Sequence, residues 1–150
     1  VTCNKDSSLI EVINLPQNKI AGSIPDEFFY TTPSLTDLFL WSNNINGTLP
    51  ASIGTLTQFR ILDIEANKFT GPLFTPEFSN LTDTLRKLWV SSNEFEDEIP
   101  STIGDFSLLD NLWIAGNKLQ GTLPTELGML TLMEKMLLYN NPSLSGAIPS

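Results

Sequence analysis

Asp63 and Glu65, two residues apart in the run Ile61-Leu62-Asp63-Ile64-Glu65, carry the residue types that acid and base work on a sugar requires. Alternate residues of an open strand have no enclosed pocket to shift either pKa, so no catalysis is expected of them. The acidic run Glu94, Glu96, Asp97, Glu98 offers oxygen donors for Ca2+. It lacks the D-x-[DN]-x-[DN]-G spacing and reads as a solvated face, so no metal site is expected. Histidine is absent and Cys3 is the only cysteine. A Ser-His-Asp relay, a Cys-His pair and a His/Cys zinc site are therefore excluded for this chain, and neither an enzyme nor a cofactor is expected. The richer chemistry is aromatic: Phe39, Trp41, Trp89, Trp113 and Tyr139 are the residue types that anchor protein interfaces and stack on sugars.

The chain that must position these residues has 150 of them, 41% hydrophobic and 17% charged, as in an ordinary globular domain. Eight basic and seventeen acidic side chains give a formal charge of −9, which argues against a nucleic-acid partner. No run of 18 uncharged apolar residues occurs, so this segment has no membrane contact of its own. A lone thiol is either free or has lost its partner upstream.

Asn18, Asn43, Asn67, Asn93, Asn117 and Asn141 are separated by 25, 24, 26, 24 and 24 residues. Each has apolar residues eight, five and three positions before it and, in the first five units, another two after it, as in Leu35, Leu38, Leu40 and Ile45. The frame is L-x-x-L-x-L-x-x-N-x-L. Apolar residues at i and i+2 point to one side of a short strand, so each unit contributes one strand to a parallel sheet. The asparagine turns the chain, and its buried amide is expected to bond backbone of its own and the next coil as a structural ladder. Gly47-Thr48-Leu49-Pro50 and Gly121-Thr122-Leu123-Pro124 then give a sharp bend, a short extended segment and a helical turn. Ile53, Leu56, Leu127 and Leu130 are expected to face inward from such turns.

The longer pattern L-x-x-L-x-L-x-x-N-x-L-x-G-x-[IL]-P, in Leu35 to Pro50 and Leu109 to Pro124, resembles the plant-type extracellular leucine-rich repeat family. That family holds receptor-like kinase and receptor-like protein ectodomains and polygalacturonase-inhibiting proteins. The resemblance implies an α/β solenoid, a right-handed superhelix with a parallel sheet on its concave face and short 3-10 or extended segments on its convex face. Residues 1–150 are expected to be a single leucine-rich repeat domain of about six 24-residue repeats, with units starting near 10, 35, 59, 85, 109 and 133. Val1-Thr2-Cys3-Asn4 is similar to the end of the family's N-terminal cap, which implies that Cys3 pairs with a cysteine outside this segment. Missing caps lead to the expectation of a fragment of a longer protein. Asp97 stands where glycine is expected, Phe74 where proline is expected, and Pro142-Ser143 add one residue, so loop geometry is expected to differ there.

Inward residues are committed to packing, so a binding site must lie on outward strand positions or loops. One outward column runs Asn14, Phe39, Asp63, Trp89, Trp113, Leu137, and the next runs Pro16, Trp41, Glu65, Ser91, Ala115, Tyr139. Trp89 and Trp113 are predicted to be direct neighbours, with Phe39 and Trp41 as a second aromatic group and Asp63 and Glu65 between. These seven residues, Tyr139 included, form the expected ligand-binding face. Arg60, Arg86 and Lys87 make a small basic group, expected to neutralise Asp63, Glu65 and other nearby acids or else to meet an anionic partner.

Asn46-Gly47-Thr48 and Asn80-Leu81-Thr82 are glycosylation sequons expected to fall in loops, in keeping with an extracellular chain, secreted or the ectodomain of a membrane protein. The expected function is non-catalytic recognition of a protein, peptide or glycan through the sheet face. The alternatives are a polygalacturonase-inhibitor-like enzyme inhibitor and a structural matrix or ice-binding solenoid. Ice binding requires a regular rank of small polar residues, whereas Ser23, Thr48, Pro72, Glu98, Thr122 and Ala147 form none.

Overall fold

A short apolar-outward-apolar strand buries one face and leaves its two edges open, so it is stable only when neighbouring coils pair with it. The computed structural model describes Thr2–Cys3, as backbone, and residues 9–148. The expected bridge at Cys3 therefore concerns a side chain outside the described residues. In chain order the first strands are β1 (Thr2–Cys3), β2 (Ile10–Asn14), β3 (Ala21–Ser23), β4 (Asp37–Phe39), β5 (Asn44–Gly47), β6 (Ile61–Asp63) and β7 (Lys68–Pro72). They continue as β8 (Lys87–Trp89), β9 (Glu94–Glu98), β10 (Asn111–Trp113), β11 (Lys118–Thr122), β12 (Lys135–Leu137) and β13 (Ser143–Ser145).

These strands form two sheets, in the orders β1-β2-β4-β6-β8-β10-β12 and β13-β11-β9-β7-β5-β3. Among the described residues all pairings are parallel except β1 on β2, an antiparallel edge the repeat frame does not announce. The extended segments after each asparagine are thus a second hydrogen-bonded sheet. Between it and the next unit run a short α-helix (Phe28–Thr31) and 3-10 turns at Ala51–Thr55, Phe78–Leu81, Ser101–Asp105 and Thr125–Met129.

The interior lies between the two sheets and the turns. Leu38, Leu62, Leu88 and Leu112 are in register across the first sheet and fully buried. From the second sheet Phe69 and Phe95 stack with ring centroids 6.0 Å apart. Ile53, Leu56 and Leu130 point inward as expected, while Leu127 on the last turn stays half-buried. A fully buried aliphatic or aromatic side chain contributes about 1.5–3 kcal/mol, so the repeated columns carry the stability of the array.

The asparagine ladder binds the coils at the point where the strands end. Asn93 donates its amide to Ile64 O at 2.9 Å in the preceding coil and to Val90 O at 3.1 Å in its own, and accepts from Phe69 N at 3.0 Å. Asn67, Asn117 and Asn141 repeat the pattern. The expected partner coil is therefore corrected: the side chain reaches back, because Phe69 N and its equivalents lie just beyond the previous turn. Asn18 is exposed, with its amide on Pro16 O, since its neighbour on that side is the antiparallel β1.

Two backbone columns take positive φ. The residue before each asparagine does so throughout, from Gln17 (57°) through Ala66 (52°) to Asn140 (55°). At the glycine position Gly47 has φ 79° and Gly121 78°, and Asp97 is held at 94° in the same place, with its Oδ1 accepting from Glu98 N at 2.9 Å. The other departures are absorbed locally. In the third unit the 3-10 turn begins at Phe78, four residues after Phe74, whose ring packs edge-on to Phe78 at 6.1 Å. In the last unit Gln120 pairs with Ser143, whereas the equivalent Glu96 pairs with Lys118, so the extra residue shifts the register by one.

Replacing Asn93 by Ala leaves Phe69 N buried without its acceptor and takes one of two amide donors from Ile64 O, which keeps Asn67, and is expected to cost about 2–4 kcal/mol in urea unfolding, against under about 1 kcal/mol for Asn18→Ala. Equal losses at the two positions would remove the ladder from its stabilising role. Asp97→Gly relieves a left-handed aspartate and is expected to add about 1 kcal/mol. The same unfolding assay reads it, and a loss would show that the Asp97 side chain matters more than its backbone.

Candidate functional site

The strand alternation that buries Leu38 and its register partners turns Phe39, Asp63, Trp89, Trp113 and Leu137 outward on adjacent strands. Trp89 and Trp113 meet with ring centroids 5.0 Å apart and planes tilted 30°. Lys135 Nζ lies 4.4 Å from the Trp113 centroid and Lys87 Nζ 5.6 Å from that of Trp89. Both rings are half-exposed, and both indole nitrogens are buried without hydrogen-bond partners among the described residues. Phe39 and Trp41 are half-buried two strands away, and Tyr139 stands well exposed at the far edge. Between Glu65 and Tyr139 on successive coils stand the small residues Ser91 and Ala115, both buried.

The acids between the aromatic groups differ from expectation. Asp63 is only 6% exposed, with Phe39 and Trp89 as its register neighbours. Burial pushes its carboxyl up to about 7, opposed by a hydrogen bond from Glu65 N at 3.3 Å and helped by the Glu65 charge. The expectation that an open strand leaves these groups unshifted is thus wrong, because lateral aromatic neighbours desolvate what the strand alone would expose. Glu65 is raised too, by burial, while nearby Ser91 and Lys135 pull it down. The Ser91 hydroxyl influences Glu65 without making a well-formed hydrogen bond. Both acids move the same way, so the pair lacks the opposed shifts that divide acid from base.

The basic group does not neutralise them. Arg60 pairs with the buried Asp37 at 2.8 Å and Lys87 with Asp110 at 3.2 Å, leaving Arg86 exposed without an ion pair among the described residues. Asp37, Lys87 and Lys135 belong to a third outward column; of these only Lys87 stands in the expected basic group, and simple alternation along each strand marks the other two. The acidic run lies on β9, where Glu94 pairs with Lys118 at 2.7 Å. That contact holds the Glu94 carboxyl below its usual range and lifts Lys118. Asn46 and Asn80 are exposed, but on β5 and the Phe78–Leu81 turn rather than in loops. Asn80 donates to Gly54 O at 3.3 Å. Apolar hollows of about 270 and 390 Å³ lie elsewhere, at the first and last coils.

A repeated strand, turn and asparagine ladder with an open sheet face defines a solenoid. Leucine rich repeat family patterns match residues 8–69 and 84–106. The chain belongs to the leucine-rich repeat family. Receptor-like protein 7 of Arabidopsis thaliana is 33% identical over 102 residues, covering 67% of this chain and 10% of that protein. Receptor-like protein 54 of the same plant is 41% identical over 111 residues, covering 61% and 14%. The chain thus spans about a tenth of the length of such relatives. Among solved structures, a plant peptide hormone receptor, RGFR1 in complex with RGF2, superposes with TM-score 0.86 at 29% identity, over 93% of this chain and 22% of that one. The BIR3–SERK2 complex from Arabidopsis thaliana gives 0.84 at 29%, over 99% and 77%. No helix among the described residues is long and apolar enough to cross a membrane.

The Asp63 carboxyl keeps its proton to about 7 when folded and loses it near 3.8 when unfolded. The folded state binds more protons between these values, so this group's contribution to stability falls as pH rises from about 4 to 7. Asp63→Asn should match the parent protein in urea unfolding near pH 4 and exceed it by about 1–3 kcal/mol at pH 8. A constant difference across that range would show that Asp63 is not the titrating group.

Proposed function

We propose that this chain is a non-catalytic recognition module whose long sheet binds a peptide across its outward face, as part of an extracellular protein. The Trp89–Trp113 pair carries the reading: two large rings in contact, flanked by lysines and left half-exposed, form the kind of cluster that anchors protein and peptide interfaces. The small side chains of Ser91 and Ala115, between Glu65 and Tyr139, place no bulk in the way of an extended backbone crossing successive strands. Similarity to a peptide hormone receptor solved with RGF2, and to HAESA solved with the peptide hormone IDA and the co-receptor SERK1, favours a peptide over a glycan. Phe39, Trp41, Asp63 and Glu65 form the other half of the proposed surface. Asn46 and Asn80 stand away from it as proposed glycosylation positions on β5 and on a turn.

A random peptide library panned on the immobilised protein tests this. Recovered peptides should bind the parent at least about tenfold more tightly than W89A/W113A, whose fold is kept because neither ring fills the core. Peptides that bind both proteins equally would overturn the sheet-face reading.

A further inference from the structure

The outward face is divided by charge in a way the folded chain leaves unresolved. Its lysines gather at one end, where Lys87 is paired with Asp110 and Lys135 lies over Trp113. Toward the other end Asp63 and Glu65 have no ion-pair partner among the described residues. A carboxylate that is 6% exposed with a single backbone hydrogen bond is expensive unless a proton or a cation joins it. On the adjacent coil, tied to this one by Ala66 N to Ser91 O at 2.9 Å, Ser91 is 8% exposed and keeps a buried hydroxyl without a well-formed partner beside Glu65. An unpaired buried acid, a rim acid and an unpartnered hydroxyl therefore converge.

Aromatic rings flank that convergence. Phe39 and Trp89 are the register neighbours of Asp63 on either side, two strand spacings or about 9.6 Å apart along the sheet. Trp41 occupies the position of Glu65 one coil earlier. Among the described residues no cation lies over Phe39 or Trp41, in contrast to Trp113, under Lys135, and Trp89, whose centroid is 5.6 Å from Lys87 Nζ.

We propose that Asp63 and Glu65, between Phe39 and Trp89, form a seat for an arginine side chain of the bound peptide. The guanidinium is planar and stacks on aromatic faces, its fork of donors can reach two carboxylates and a hydroxyl together, and it sheds water more easily than an ammonium. The seat deepens the peptide-binding reading and rests on it. It fixes polarity as well: the arginine lies toward β6, and the rest of the peptide runs toward the Trp113–Lys135 pair near β10.

Titration of the protein with N-acetyl-arginine methylamide, followed through the tryptophan indole N–H signals by NMR, tests the seat against the neutral citrulline analogue. The arginine probe should shift the Trp89 and Trp41 signals saturably and bind at least about tenfold more tightly than the citrulline probe. D63N/E65Q, which preserves side-chain volume, should abolish that preference, whereas E96Q/E98Q, which removes the same charge from the other sheet, should keep it. Equal binding of the two probes, or equal loss in both variants, overturns the seat. Equal probe binding while panned peptides still need Trp89 and Trp113 overturns the seat alone. Selective arginine binding while panned peptides ignore W89A/W113A overturns the sheet-face reading alone.

Discussion

Every coil of this solenoid must leave a strand, and at that corner its backbone groups face inward with no strand partner. The buried asparagine meets this constraint. One amide caps carbonyls of two coils and its oxygen accepts from the earlier one, so the corner stays dry and satisfied. No aliphatic residue could replace it, and aspartate would lack the donors. The 24-residue spacing, the left-handed residue before each asparagine and the buried leucine columns are the geometry needed to bring that amide to the same place in every coil.

Because the corners and the interior are closed in this way, chemistry is left to the outward strand positions. There the same parallel register that aligns leucines inside aligns unlike residues outside, and each side chain acquires its environment from the coils on either side. Asp63 shows the result: its own strand would leave it wet, whereas Phe39 and Trp89 in register with it make it a desolvated acid. Lys87 and Lys135, one outward column from Asp63 and two from Glu65, are drawn instead to Asp110 and to the Trp113 face.

The fold was legible because it is written in periodicity. Asn43 to Asn141 announce the corners, and the leucines before them announce the strands, with little dependence on long-range detail. The contact of Trp89 with Trp113 was legible for the same reason, since equal positions in adjacent repeats become neighbours. What escaped was set between coils and not within one. The pairing of Arg60 with Asp37, the burial of Asp63, the hydrogen bonding of the return segments into a second sheet and the antiparallel β1 all depend on side-by-side geometry that no single repeat encodes.

The backward reach of the ladder gives the array a direction. Phe69 N, Phe95 N and Leu119 N are each satisfied only by the asparagine of the following coil, at Asn93, Asn117 and Asn141. A coil leaving the ribosome is therefore incomplete until some two dozen further residues exist, and each new corner closes the one before it. The stack is thus polar along its axis: each coil lends its asparagine oxygen to the coil before it and borrows one from the coil after it.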